Sequence, residues 1–324
     1  MASCLPYVGL KAAWMAGSRL GIPDGSPLLD GGTTLLVTNG ATLLMDGAVI
    51  LLALLLTRPW GRRVPAWLLV LPMWVASGLL LPVMTAFPVQ MAVRLLGGGG
   101  GRPVGEGDAE PFLDPWVFGV VYGGFIIQGL SLGSLFALYA GKRWGRLWQG
   151  RLRDLPESPT APALRATAVA VALAVLLPAV THLLWATGSA AGLDAGRAAS
   201  RTSDFYVLES VSLLFVLATA LGVLLLAFRR TGRLSLRLPL VLTWAGSAQM
   251  ACWGGWLTVA GLIGAGDASD RPTTATAVTY AVQMLAGALV MTLGAYFFAE
   301  RAADSALPAT GKAAAPASDS DRVS

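Results

Sequence analysis

The stretch THLLWATGSAAG, Thr181–Gly192, ends an apolar run with Trp185 and then passes through Gly188, Ser189 and Gly192. Glycine just past the last periodic residue is a helix stop signal, and tryptophan is enriched where membrane meets water. The stretch therefore reads as the end of a membrane-crossing helix. The same spacing opens the chain: in LKAAWMAGSRLG, Leu10–Gly21, the residues Trp14, Gly17, Ser18 and Gly21 superpose on Trp185, Gly188, Ser189 and Gly192, with Lys11 opposite His182.

Composition agrees with a membrane environment. Of the 324 residues, 55% are hydrophobic and only 13% charged, a balance that a water-soluble domain of this size does not need. The formal charge of +5 comes from arginines in short clusters between apolar runs, which reads as a topology signal and not as a nucleic-acid surface. Cys4 and Cys252 are the only cysteines, so neither a disulfide framework nor a thiolate metal site is expected. Three lysines stand against twenty arginines, and Ala, Gly and Leu dominate, the usage of a GC-rich bacterial genome such as an actinobacterial one.

A spanning helix needs about 20 apolar residues, because a core about 30 Å thick is crossed at about 1.5 Å per residue. Seven segments qualify: 33–57, 66–87, 115–140, 165–187, 206–228, 238–265 and 276–299. Strand-period alternation is absent and an open sheet edge is unsatisfied in lipid, so these are helices. Basic residues fill alternate loops: Arg58, Arg62 and Arg63; Lys142, Arg143, Arg146, Arg151 and Arg153; Arg229, Arg230, Arg233 and Arg237. Positive-inside bias makes these loops cytoplasmic. The opposite loops carry Glu106, Asp108, Glu110 and Asp114, then Asp194 and Asp204, then Asp267 and Asp270, and face outward. The expected location is the bacterial cytoplasmic membrane, with the N-terminus outside and the C-terminus inside. Leu5–Ala16 is interrupted by Lys11 and does not read as a cleavable signal peptide. Gly97–Asp108 reads as a flexible outer loop, and the tail after Arg301 as disordered.

The two Trp-Gly stretches are each followed by a span, an arginine cluster and a Trp-bearing span (LVLPMWVASG against LVLTWAGSA). An outer loop and a span with Tyr then Gln come next, Tyr122 and Gln128 in one copy, Tyr280 and Gln283 in the other. This order predicts an all-α polytopic bundle of seven spans plus a short outer N-terminal helix, arranged as a parallel internal repeat of four-helix halves. Residues 1–160 form the first half, 161–301 the second, and 302–324 the cytoplasmic tail. The first copy of the motif has only the last turns of its helix; its inner part is read as lost or as lying upstream of the assigned start. Four spans return the chain to the same side, so the axis relating the halves lies along the membrane normal.

Several polar residues fall inside spans. Asp46 lies near the centre of its span, where insertion of an acid costs about 2.5 to 3.5 kcal/mol, so it faces the bundle or is neutralised. It reads either as a proton relay or cation ligand, or as a protonated acid bonded to a neighbouring helix. Asn39, in TNG at Thr38–Gly40, lies about two turns outward on the same helix. Glu209 is in the first turn of its span and reads as a cap or solvated group. His182, the single histidine, reads as packing or as a pH-sensitive or ligand residue. With one histidine, bis-His haem and His-rich metal centres are excluded. Gln128, Gln249 and Gln283 read as interhelical bonds. Together Asp46, Asn39, Tyr122, Gln128, His182, Glu209, Gln249, Tyr280 and Gln283 form the candidate lining of an outward-opening polar cavity between the halves.

Seven spans with the N-terminus outside resemble a rhodopsin layout, but TATAVTYAVQMLAGALVMTLGAYFFA has no lysine to hold retinal. HExxH, Walker A, GxSxG and CxxC patterns are absent from credible sites, and no catalytic residue, cofactor or metal is assigned. The layout, with its Trp-Gly motif after a helix end, resembles uncharacterised multi-spanning membrane proteins of actinobacteria, a resemblance that implies no activity. The expected partners are the lipid bilayer, a small-molecule ligand bound or transported in the cavity, and no nucleic acid. The alternative function is an accessory or assembly subunit with a membrane-protein partner or a second copy of the chain.

Overall fold

A computed structural model describes residues 5–24, 26, 32–97, 113–155, 160–199, 201–229, 233–262 and 271–306. Most of the Gly-rich outer loop, Cys4, and the tail beyond residue 306 lie outside the described residues. The helices are α1 (Leu5–Met15), α2 (Gly32–Thr57), α3 (Trp67–Leu95), α4 (Pro115–Trp148), α5 (Ala161–Ala174), α6 (Leu176–Ala186), α7 (Ala195–Ala199), α8 (Ser203–Phe228), α9 (Arg237–Leu262) and α10 (Thr274–Ala306). Strand pairing among the described residues is limited to one isolated antiparallel bridge, Arg151 to Ser235.

Five of these stretches are long and apolar enough to cross a membrane: Trp67–Leu95, Trp116–Trp148, Ala161–Ala186, Ser203–Phe228 and Thr274–Ala303. These are the lengths and compositions of a membrane protein. The segment expected over 165–187 is helical throughout but breaks between α5 and α6. Pro178 explains the break, because its ring offers no N–H to the Ala174 carbonyl and crowds it. Pro72, Pro82 and Pro88, by contrast, are carried inside an unbroken α3. Two expected spans fall outside the five. In α2 the shorter apolar stretch Thr42–Thr57 is recognised. Helix α9 has the length but not the hydropathy, and its position explains why: it packs against α3, α8 and α10 at the centre of the bundle.

Close packing around α9 depends on small residues, which let helix backbones approach where lipid provides no hydrophobic drive. A Cβ on Gly246 would lie 2.2 Å from Thr219 Oγ1, and one on Gly254 2.8 Å from the Tyr280 carbonyl oxygen. The α3–α9 seam is bonded reciprocally: Trp74 Nε1 donates to Ser247 Oγ at 3.1 Å, and Trp244 Nε1 donates to Ser77 Oγ at 3.2 Å. Between these bonds a Cβ on Gly78 would lie 2.3 Å from the Ala248 carbonyl oxygen.

The two Trp-Gly stretches close their helices in the same way. After α1, the N–H of Gly17 donates to the Trp14 carbonyl (3.0 Å) and that of Ser18 to the Ala13 carbonyl (2.8 Å). After α6, Gly188 donates to Trp185 (3.1 Å) and Ser189 to Leu184 (2.9 Å). This 5→2 and 6→1 pair is the Schellman arrangement, which needs a left-handed residue at its turn; Gly17 has φ +87° and Gly188 φ +99°. Trp14 Nε1 then donates to the Leu20 carbonyl (2.8 Å), and Trp185 Nε1 to the Ala191 carbonyl (3.0 Å), six residues on in each case. Each second glycine ties the turn to a later helix start: Gly21 accepts from the Asp114 N–H (2.9 Å), and Gly192 from Thr276 Oγ1 (2.8 Å).

Gly188→Ala is expected to destabilise the protein by about 1–2 kcal/mol, the cost of placing an L side chain in the left-handed region. It should read as a lower melting midpoint in detergent. Gly9→Ala, inside α1 with open space around it, should leave the midpoint unchanged or slightly higher.

Candidate functional site

Polar side chains of the bundle gather in separate groups, each held by helix ends or helix faces that the chain brings together from distant positions. The densest group lies where α6, α8 and α10 meet. His182 is one turn before Trp185 on α6 and is 2% exposed. Its Nδ1 is 2.5 Å from Glu209 Oε2 on α8, and its Nε2 is 2.7 Å from the Gln283 side-chain nitrogen on α10. With Nδ1–H donating to the carboxylate, Nε2 is left as the acceptor for the Gln283 amide, so both ring nitrogens are satisfied in a neutral imidazole. An imidazolium would keep the Glu209 bond and would need Gln283 to present its oxygen instead. The Trp185 ring stands edge-on to the imidazole at 5.5 Å.

Tyr280 lies one turn before Gln283 and is buried; its hydroxyl accepts a 2.7 Å bond from Arg197 Nη1. Arg197 belongs to the short α7. Its own N–H donates to Asp194 Oδ1 (2.8 Å), and its Nε is 3.5 Å from Asp194 Oδ2. The loop between α6 and α8 is therefore pinned onto α10 by an acid, a guanidinium and a phenol in series. Glu209, read from sequence as a cap or solvated group, turns instead to His182.

Helices α1 and α2 hold a different pair. Lys11 on α1 and Asp46 on α2 are both buried, with Nζ 3.9 Å from Oδ2. That separation is beyond hydrogen-bond range, and Asp46 Oδ2 accepts no hydrogen bond among the described residues. Burial pushes the Lys11 amine down to about 8, with Asp46 partly opposing the shift.

A further ionic pair joins α3 to α8: Arg94, at the end of α3, donates to the Asp204 carboxylate in the first turn of α8. Gln90, one turn earlier, reaches the Asp204 carbonyl at 3.4 Å. Nothing in the sequence pointed to Arg94, because its partner is 110 residues away and no local spacing relates them.

The nine candidate residues are thus divided. The structure brings His182, Glu209 and Gln283 together with Tyr280 one turn away. Asp46 pairs with Lys11. Tyr122 belongs to a ring cluster, 4.9 Å from Phe87 and 6.3 and 6.4 Å from Phe118 and Phe125. Gln128 and Gln249 are buried, and Gln249 Oε1 has no hydrogen-bond partner among the described residues. The Asn39 side chain lies outside the described residues. Among the described residues, no group of three or more His, Cys, Asp or Glu side chains could hold a metal ion.

Comparison with protein families, with characterised proteins and with solved structures finds no match for this chain. The site is therefore read from its own geometry.

One cavity of about 380 Å³ opens between α3 and α4, and none of the nine candidate residues lines it. Its walls are mostly apolar, with Met73, Leu80 and Met84 on α3 and Gly129, Leu132 and Gly133 on α4. Counting from Trp74 and Trp244, Met84 and Gly254 both stand ten residues on. Gly254 lets α10 close onto α9, and Met84 fills the corresponding place between α3 and α4. A Cβ on Gly129 would lie 2.2 Å from the Met84 sulfur, so Gly129 accommodates that side chain. Gly133, which shares a GxxxG spacing with Gly129, faces open space and packs against nothing within 4 Å.

Proposed function

We propose that the chain is a multi-pass protein that binds or transports a small polar solute, with the His182–Glu209–Gln283 group at its working site. The observation that carries this reading is the engagement of both imidazole nitrogens by side chains of two other spans. Ionisable groups inside spans are costly to insert, so they mark function more often than packing. A second observation supports it: Lys11–Asp46 repeats the theme of a base on the Trp-Gly helix facing an acid on the next one.

The same reading includes seven spans, with α2 and α9 added to the five, and two parallel halves. The matched Trp-Gly turns and the reciprocal Trp–Ser bonds between α3 and α9 support the repeat. The plasma membrane, an outer N-terminus and a cytoplasmic C-terminus follow from the arginine-rich loops. The structure gathers their end of the bundle through Arg143, bonded to Tyr139 and the Val64 carbonyl, and Arg229, bonded to the Leu155 carbonyl.

The test is thermal unfolding of the full chain in detergent with a panel of amino acids and short carboxylic acids. A solute at a hundred times its Kd adds about 2.7 kcal/mol to stability, and the midpoint rises by several degrees. At least one solute should do this for the parent chain and not for Glu209→Gln, which keeps a hydrogen bond to His182 but loses the charge. A flat response across the panel would sink the reading. The α3–α9 seam, dry at Gly78 and Ala248, favours a second reading as an accessory or assembly subunit. A flat panel together with stable association with another membrane protein or a second copy would select it.

A further inference from the structure

Several pairs among the described residues join a basic group to a largely buried carboxylate, and one of them is open. Arg94 and Asp204 are in hydrogen-bond contact, and His182 and Glu209 are 2.5 Å apart. Lys11 and Asp46 stand 3.9 Å apart, although both side chains are more than nine-tenths buried. Asp46 Oδ2 is left in the interior without a hydrogen bond among the described residues. A buried carboxylate oxygen in that position is stabilised by a positive charge or by a proton.

Among the described residues, the surroundings offer no other fixed cation. Helix α1 packs on α2 and α4. From α4 it meets Val117, Phe118, Val120 and Val121, all apolar. Tyr122 lies in its ring cluster, and Asp114 stands beside the turn after α1, accepting from Trp116. Helix α2 also meets α3 and the short Pro59–Arg63 turn. Arg94 on α3 is taken by Asp204, and Arg143 on α4 by Tyr139 and the Val64 carbonyl. Thr42, one turn before Asp46 on the same helix, provides an oxygen on the same face.

We propose that Asp46 is an exchange site for a monovalent inorganic cation, at which the Lys11 ammonium is the resident counter-charge. This inference rests on the reading above only in treating the buried ionisable pairs as functional. In the exchange, the cation binds Asp46 and the Lys11 N–H bond breaks, its proton passing to solvent and its electron pair staying on the neutral amine. One positive charge enters and one leaves, so the interior stays neutral. A divalent ion would leave an excess charge beside a single carboxylate.

The direction of the pH dependence follows from competition. A lysine held near 8 keeps its proton below that pH and excludes the cation, and it releases the proton above it. Apparent affinity should therefore weaken about tenfold for each pH unit below the Lys11 value and level off above it.

The experiment uses the full chain in detergent, with NaCl, LiCl and KCl as probes and choline chloride as the ionic-strength control. At pH 9 at least one of the three cations should raise the melting midpoint above the choline value, and at pH 6.5 the difference should vanish. In weak buffer near pH 7.5, adding that cation should release protons. Lys11→Met should respond to the cation at pH 6.5 as strongly as at pH 9, and Asp46→Asn should respond at neither. If Asp46→Asn does not fold, Lys11→Met carries the test alone. Indistinguishable cation and choline curves for the parent chain at pH 9 overturn the proposal. So does a Lys11→Met chain that shows no cation effect at pH 6.5, since Asp46 is then satisfied by a proton. A cation response without any solute response overturns the solute reading and leaves this one standing, and the reverse outcome does the opposite.

Discussion

Gly78→Ala is expected to be strongly destabilising, lowering stability by about 3 kcal/mol or more. Overpacking usually costs about 1–3 kcal/mol when side chains can move aside. Here the added carbon would lie 2.3 Å from the Ala248 carbonyl oxygen and 2.6 Å from its carbon, both backbone atoms of the central helix. Cys252 Sγ at 2.7 Å closes the remaining side. Helices α3 and α9 would have to separate, stretching the two Trp–Ser bonds that flank the contact. The measurement is the melting midpoint and the recovered folded fraction in mild detergent. Gly133→Ala is the matched control: it adds the same methyl inside a helix with nothing within 4 Å, and should shift stability by less than about 0.5 kcal/mol. Equal effects at the two glycines would contradict the close seam.

Arg94→Ala is expected to cost about 3 kcal/mol. Removing one partner of a buried pair costs about 3–5 kcal/mol, because the survivor is left as an uncompensated charge. The Arg94 side chain is 26% exposed, and that access to water places the effect at the lower end. Asp204, by contrast, is 3% exposed and cannot be solvated where it stands. Adding Asp204→Asn to Arg94→Ala should recover most of the loss, since a neutral amide replaces the stranded carboxylate. A double variant no more stable than Arg94→Ala would show that the guanidinium acts through packing and not through charge. The cycle is read by chemical or thermal unfolding of the four chains side by side.

The legible parts of the site were those set by short spacing. Trp185, Gly188 and Ser189 specify a turn whose bonds join residues no more than six positions apart, so the sequence predicts its geometry and its twin at Trp14. Asp46 was legible as an acid that needs a partner, because its depth in an apolar run follows from counting residues. Its partner was not, since Lys11 precedes the helix and reaches Asp46 only when α1 folds back onto α2. Glu209 shows the same limit from the other side. A carboxylate in the first turn of a helix is well explained by the helix N-terminus, and only the approach of α6 turns it toward His182. The expected lining residues fall into separate contact groups: His182 meets Glu209 and Gln283, Asp46 pairs with Lys11, and Tyr122 joins a ring cluster. Partners such as Lys11, Glu209 and Phe87 lie on other helices, where local spacing cannot supply them, and the described cavity between α3 and α4 is mostly apolar.

The sequence by itself determined that this chain is helical, apolar enough for a membrane, and turned at two Trp-Gly stops. Those properties depend on residues within one or two helical turns of each other and on the cost of unsatisfied backbone in lipid. Only the tertiary structure decided which charges meet, that α9 sits at the centre, and that one ion pair is closed while another stays open. These outcomes depend on how closely helices approach, which is set by a glycine or a methionine facing a residue on another helix, as Gly78 faces Ala248 and Met84 faces Gly129.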